Sequence, residues 1–324
     1  MKAIMSHQYG PPEILQLDDV DVPQVGPADV LVRVHAASVN PLDWHFVRGE
    51  PYVMRLSSGL RKPKEPARGV DLAGVVEAVG ADVRQFKQGD AVFGGKNGAF
   101  AEFVCGSESN FVSKPPSLTF EQAAAIPIAG ISALQGLRTH GRLAPGQSVL
   151  INGASGGVGT FCIQIAKLLG AEVTGVCSTG NLALLESLGA DHVIDYTRQD
   201  FTRAAAPYDL IVDTPGNRTL GELRRALSAN GTLVLIGGGG GTWMGPISLM
   251  LKAGIVGRFV DQRLVSFMAD LNQPELQELG SWAEEGTVVP VIGRTYSLEE
   301  AAEAVRLVEG RHARGKVVIT VLAP

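Results

Sequence analysis

The chain is expected to be an α/β protein in which a doubly wound parallel sheet is joined to a second, β-rich domain. Three observations carry that expectation. Its 324 residues exceed what one hydrophobic core usually organises and favour two domains. The punctuation changes near residue 120: short β-branched runs broken by Gly, Pro and Asp give way to apolar runs alternating with helical patterns, the mark of a parallel sheet with right-handed crossovers. A glycine-rich turn then falls where the first strand of the alternating half hands over to its first helix, which is where a βαβ unit holds a phosphate.

Before residue 120 the strand-like runs are DVLVRVHAASV (29–39), AGVVEAVG (73–80) and AEFVCG (101–106), separated by irregular loops. After it come SVLING (148–153), the helical GVGTFCIQIAKLLG (157–170), EVTGVCS (172–178), the helical NLALLESLG (181–189), HVIDY (192–196), YDLIVDT (208–214), the helical TLGELRRALS (219–228) and GTLVLIGG (231–238). ELQELGSWAEEG and SLEEAAEAVRLVEG read as helices, and KVVITVLAP closes the chain as a strand able to pair with either domain. There is no internal repeat, and the only low-complexity segment is the glycine run 237–241.

Composition excludes several classes. With 45% hydrophobic residues and a net charge of -5, the chain has no basic excess to attract nucleic acid or anionic lipid. MKAIMSHQYGPPEI lacks an apolar core of signal-peptide length, and no stretch reaches the roughly 18 apolar residues of a membrane span; a cytoplasmic location is expected. Cys105, Cys162 and Cys177 are few and widely spaced, so they form neither a disulfide framework nor a CxxC metal site and read as small buried residues.

The turn INGASGGVGTFCIQIAKLLGA (151–171) carries the first functional signal. Gly153, Gly156 and Gly159 permit a tight turn, close approach of the backbone to a pyrophosphate, and close packing of helix on strand. Ser155, Gly156, Gly157 and Val158 then offer free N–H groups at the helix N-terminus. Ala154 stands at the first glycine position of a strict GxGxxG, and S-adenosylmethionine and flavin folds use related turns, so the turn alone leaves the cofactor open. The second strand narrows it. An NAD site usually closes that strand with Asp or Glu for the ribose 2′-hydroxyl, whereas EVTGVCSTGN ends without one. Ser178, Thr179 and Asn181, with Tyr196 after the next strand, can donate to a 2′-phosphate, so NADPH is expected. No Lys or Arg lies in 172–190; a charged contact has to come from elsewhere, for example Arg198.

Several stretches taken together resemble a known family over nearly the whole chain: AASVNPLDWHFVRG (36–49), GVDLAGVVEAVG (69–80), GDAVFGGKNGAFAEFV (89–104), IPIAGISALQGL (126–137), GASGGVG (153–159), LGADHVIDY (188–196) and HARGKVVI (312–319). The resemblance is to zinc-free medium-chain dehydrogenases/reductases, in the quinone oxidoreductase (zeta-crystallin-like) branch. Where zinc members have Cys-His this chain has Asn40-Pro41, where they have Gly-His-Glu it has Gly69-Val70-Asp71, and their third ligand falls in Ala129-Gly130. A catalytic zinc needs three protein ligands, and the four-cysteine lobe is missing between Gly94–Phe100 and Ala101. His7, His35, His45, His140, His192 and His312 show no metal spacing. No zinc is expected. A simple ketone needs a Lewis acid or strong proton donor to stabilise its alkoxide, whereas hydride addition at the β-carbon of an enone or quinone spreads charge into an enolate that modest hydrogen bonds can hold.

The resemblance implies a GroES-like domain over 1–122, rejoined by 288–324, a Rossmann domain over 123–287, and a cleft between them for nicotinamide and substrate. It implies that Asn40 lies beside the nicotinamide and ribose, that Asp43 organises the loop, and that Tyr52 donates to the substrate oxygen. Ser132 would bond the carboxamide. Gly237 and Gly238 would let the backbone approach the nicotinamide half, with Phe259, Val260, Arg314 and Lys316 as further cofactor neighbours. The segment 51–69 is longer and more basic than its counterpart in shorter quinone reductases. The expected function is NADPH-dependent reduction of quinones or α,β-unsaturated carbonyls; the alternatives are reduction of simple aldehydes or ketones, and a non-catalytic NADPH-binding role. A homodimer through a Rossmann sheet edge is also implied.

Overall fold

The strand Asp29–Val39 organises the N-terminal half in the computed structural model, which describes residues 1–203, 207–237 and 245–322. One edge of this strand pairs antiparallel with Asp71–Val79; along the other, its first half takes Phe103–Ser107 and its second half takes Lys316–Thr320. The sheet runs Ile292–Ser297, Lys316–Thr320, Asp29–Val39, Asp71–Val79, Ala91–Gly95, Phe111–Ser113. Alternation sets its inner face: Val30, Val32 and Val34 are fully buried with Leu72, Val92 and Phe111, while Arg33 points to solvent. Ala301, Ala304 and Val305 of the helix Ala301–Glu309 cover this core from one stripe at helical spacing. The closing strand, open to either domain by sequence, belongs here.

The chain forms two units, Met1–Ile131 with Leu271–Gly286 and Pro290–Pro324, and Ser132–Asp270 with Thr287–Val289. That differs from the expected boundaries at 122/123 and 287/288. The helix Gln273–Glu284 joins the first unit because Gln273 Nε2 donates to the carbonyls of Glu108 (3.0 Å) and Phe111 (2.8 Å), and its Leu276 and Leu279 are buried.

In the second unit six parallel strands lie in the order His192–Asp195, Glu172–Cys177, Ser148–Asn152, Tyr208–Asp213, Leu227–Leu235, Arg263–Ser266. Numbered along the chain this is 3-2-1-4-5-6, the dinucleotide-binding arrangement, with its ligand crevice at the carboxyl ends of the first and fourth strands. Val149, Leu150, Ile151, Leu210, Ile211 and Val212 are buried on both faces, which is why these strands read as continuous apolar runs rather than alternations. The sixth strand, RLVS, is too short and too weakly apolar to stand out in the sequence. Among the described residues no helix is long and apolar enough to cross a membrane.

Candidate functional site

In the second unit the turn after Ser148–Asn152 is built on glycines with separate duties. Gly153 has φ +79°, and a Cβ there would lie 2.3 Å from Thr214 Oγ1. A Cβ on Gly159 would lie 2.3 Å from the Gly153 carbonyl, so the helix Gly157–Leu168 can seat on the turn only without one. Gly156 caps that helix with extended backbone and open space above it, the nearest atom to an added Cβ being Gly153 O at 3.4 Å. Ser155, Gly156, Gly157 and Val158 are thus brought together at a helix N-terminus, where the Gly156 N–H donates to the Gly153 carbonyl at 3.1 Å and the Gly157 and Val158 N–H groups have no acceptor among the described residues. That donor set fits a pyrophosphate.

At the crevice itself Gly237 packs against the fourth strand, where a Cβ would lie 1.7 Å from the Thr214 carbonyl; Gly238 lies outside the described residues. Two polar residues that sequence reasoning missed close the first and fourth strands here. Asn152 Nδ2 donates to Asp213 Oδ1 at 2.7 Å, and Asp213 Oδ2 has no partner among the described residues. Burial pushes the Asp213 carboxyl up to about 6 against the Asn152 hydrogen bond. The available signal was a polar residue closing each of the apolar runs VLI (149–151) and LIV (210–212).

The ribose end differs from expectation. No carboxylate closes the second strand, but parallel pairing sets Asp195 level with Cys177, and Thr179 Oγ1 donates to Asp195 Oδ2 at 2.5 Å. The Thr179 and Thr197 hydroxyls hold Asp195 below the usual carboxylate range. Arg198 Nε stands 3.5 Å from the same carboxylate. Asn181 Nδ2 donates to Ser178 Oγ at 3.2 Å, and Tyr196, half-exposed, donates its backbone N–H to the Cys177 carbonyl at 3.0 Å. Ser132 is buried in the helix Pro127–Leu134, while Phe259 is 82% exposed beyond the helix Gly245–Val256.

In the first unit Asn40 and Lys316, both expected beside the cofactor, belong to one buried polar cluster. Pro41 at the first helical position and Asn40 before it start the helix Pro41–Arg48, and Asp43 Oδ2 accepts the Asn40 backbone N–H at 2.7 Å. The Asn40 side chain faces inward, 3% exposed: Nδ2 donates to Asp71 Oδ2 (2.8 Å) and Oδ1 accepts from Lys316 Nζ (2.7 Å). Lys316, read from sequence as a cofactor neighbour, is 3% exposed and donates to Asn40, to the Val39 carbonyl (3.3 Å) and to Asp71 (3.4 Å). Strand pairing decides this, since Val317 lies opposite Val39. Asp71 also accepts from Ser38 Oγ (3.0 Å) and the Ile128 N–H (3.2 Å). Burial pushes the Asp71 carboxyl up and the Lys316 ammonium down, and each charge opposes the other's shift.

Asp43 lines a cleft of about 210 Å³ in this unit, with Tyr9, Phe46, Lys64, Arg68 and Val70 among its walls. Burial pushes the Asp43 carboxyl up to about 7, against the Asn40 N–H bond. Tyr52 is not on this wall; its ring lies 4.5 Å from the Arg55 guanidinium, which also covers Tyr9 at 4.4 Å and donates to the carbonyls of Gly49 and Arg48. Arg314 is exposed at the entry to the closing strand. Among the described residues no three His, Cys, Asp or Glu side chains group as a metal site.

Comparison with known proteins agrees with this architecture. A family model for the alcohol dehydrogenase GroES-like domain matches residues 26–116, and one for zinc-binding dehydrogenases matches residues 188–319. The NAD(P)H oxidoreductase RTN4IP1, mitochondrial, of Mus musculus is 36% identical over 359 aligned positions, covering 99% of this chain and 89% of that protein. The human quinone oxidoreductase is 32% identical over 332 positions, covering 98% and 97%. The solved quinone oxidoreductase of Coxiella burnetii superposes with a TM-score of 0.88 at 33% identity, over 99% of both chains. A GroES-like β domain, a 3-2-1-4-5-6 Rossmann sheet and full-length similarity at this level lead to one conclusion: the chain belongs to the quinone oxidoreductase family of the medium-chain dehydrogenases/reductases.

Proposed function

We propose that the protein is an NADPH-dependent reductase of quinones or α,β-unsaturated carbonyls that works without a metal. The observation that carries this reading is the Lys316–Asn40–Asp71 cluster. At the positions where zinc relatives bring Cys and Glu, this chain brings a carboxamide and a carboxylate already bonded to an ammonium, so no Lewis-acid ligand set is offered.

When bound, the reduced nicotinamide supplies a hydride to the β-carbon of the substrate, and a proton completes the reduction at the α-carbon or oxygen. The N–H groups at Gly157 and Val158 would hold the pyrophosphate, and Gly237 would let the backbone approach the nicotinamide half. Asp43 is the group in the first unit able to hold a proton against its cleft near neutral pH. Preference for NADPH over NADH rests on the Ser178 hydroxyl and the Asn181 amide and on the missing carboxylate at the end of the second strand, with Arg198 offsetting the Asp195 charge. We also place the protein in the cytoplasm, as a homodimer through an edge of the six-stranded sheet, which light scattering on the purified protein tests directly.

Fluorescence titration of the apo protein with NADPH and with NADH, followed by addition of an enone and a quinone, tests the function. Selective NADPH binding with substrate-dependent oxidation is expected. Tight binding without oxidation would favour a binding protein, and turnover of simple ketones but not enones would favour the carbonyl-reductase alternative.

A further inference from the structure

The cleft in the first unit is lined by two cations, Lys64 and Arg68, and two carboxylates, Asp43 and Glu65; Glu65 accepts from Asn97 Nδ2 at 3.1 Å, and the reduction of a neutral enone uses neither cation. Residues 55–68 hold five of the chain's 28 basic side chains and one of its 33 acidic ones, in a protein of net charge -5. Arg55 is occupied between two aromatic rings. Arg61, Lys62 and Lys64 are exposed, and none reaches a carboxylate among the described residues.

Arg68 is the more telling residue. It lines the cleft at 7% exposure, and its donors go to neutral oxygens only: Nε (3.0 Å) and Nη2 (2.7 Å) to Ser6 Oγ, Nη1 to the carbonyls of Glu65 (3.0 Å) and Ala67 (3.4 Å). A buried cation without a bonded counter-charge is costly to keep. Asp43, the other buried charge on this wall, bonds the Asn40 N–H rather than the guanidinium. The segment is also built to hold its shape. The Lys64 N–H donates to Ser58 O (2.8 Å), the Ser6 N–H to Pro66 O (2.8 Å) and the Arg68 N–H to Ile4 O (3.2 Å), and Pro63 is buried against the cleft.

We propose that this cleft binds a carboxylate-type anionic group carried by the enone or quinone that the enzyme reduces, with Arg68 and Lys64 as the residues that select for it. The proposal rests on the reductase reading above. Phe46 and Val70 supply an apolar wall for the substrate body, and Lys64, at the rim, draws the anion toward the guanidinium.

The test uses para-carboxybenzalacetone and its methyl ester with NADPH, on the wild type and on Lys64→Ala and Arg68→Met. The acid is expected to exceed the ester about tenfold in kcat/KM, mostly through KM, with the ratio falling toward one in both variants and at high salt. Lys64 is exposed, so its variant remains informative should Arg68→Met not fold. Equal turnover of acid and ester by the wild type, or a preference that survives both variants, overturns the proposal. If neither compound nor any quinone is turned over, the reductase reading fails, and calorimetric titration with benzoate still decides the anion site: heat lost in Lys64→Ala supports it, and no heat with the wild type refutes it. Leu56 and Leu60 are exposed beside these cations. Pelleting with phosphatidylserine vesicles in the absence of any carboxylate preference would assign the patch to a membrane surface and overturn the proposal.

Discussion

Lys316 Nζ lies 2.7 Å from Asn40 Oδ1, although the two residues are 276 positions apart in the chain. Through this contact the first helix of the β-rich unit, the strand carrying Asp71 and the closing strand share one buried polar centre. Lys316→Met would leave Asp71 buried without its counter-charge. A loss of about 3–5 kcal/mol of unfolding free energy is expected in urea denaturation, with part of it restored in the Asp71→Asn, Lys316→Met double variant. If Lys316→Met unfolds at the wild-type midpoint, the ion pair is not structural.

Asp43 gives the protein a specific pH dependence. Its folded pKa of about 7 lies above the ordinary value of 3.8, so the folded state favours the protonated carboxyl. The stability it contributes is complete below the ordinary value and is lost as pH rises toward 7. Relative to wild type, Asp43→Asn should therefore gain stability between about pH 5 and about pH 8, by a difference on the order of 3 kcal/mol. Denaturant midpoints of the two proteins at both pH values check this; parallel pH profiles would rule it out.

The glycines of the phosphate turn should separate binding from folding. Gly156→Ala meets only one atom, at 3.4 Å, in ordinary extended backbone, so its thermal midpoint should stay close to wild type while NADPH affinity drops about tenfold or more, the methyl standing where the pyrophosphate approaches. Gly159→Ala drives a methyl to 2.3 Å from the Gly153 carbonyl and should cost roughly 1–3 kcal/mol of stability even without ligand. Equal effects of both changes on stability would contradict this division of duties.

Asp195 is expected to restrain NADPH affinity. Asp195→Asn removes a carboxylate bonded to Thr179 and should raise the ratio of NADPH to NADH affinity by about fivefold at low salt, less at high salt. Fluorescence titration with both nucleotides measures it. An unchanged ratio would show that the 2′-phosphate does not approach Thr179.

Much of the fold was legible because it is written locally. The run DVLVRVHAASV is the strand Asp29–Val39 to the residue, and the turn at 153–159 sits between Ser148–Asn152 and Gly157–Leu168 as its glycine spacing implies. Alternation, apolar runs and turn glycines act over a few residues, so a linear reading captures them. The sixth strand and the placement of the helix Gln273–Glu284 were not legible, because a four-residue edge strand has no period of its own and the helix's place depends on the carbonyls of Glu108 and Phe111.

The candidate site divides in the same way. By itself the sequence determined a glycine-rich turn between strand and helix, the missing carboxylate at the end of the second strand, and Asn40, Val70 and Asp71 at positions where zinc relatives carry other residues, each a property of residue type at a given place. Only the tertiary structure decided that Lys316 turns inward to Asn40 and Asp71, that Asp195 arrives beside Thr179 from the neighbouring strand, and that Arg68 faces a cleft without a carboxylate bonded to it. Strand pairing brings these groups together across long stretches of chain. Their charges then depend on desolvation and on partners that no local window of sequence contains.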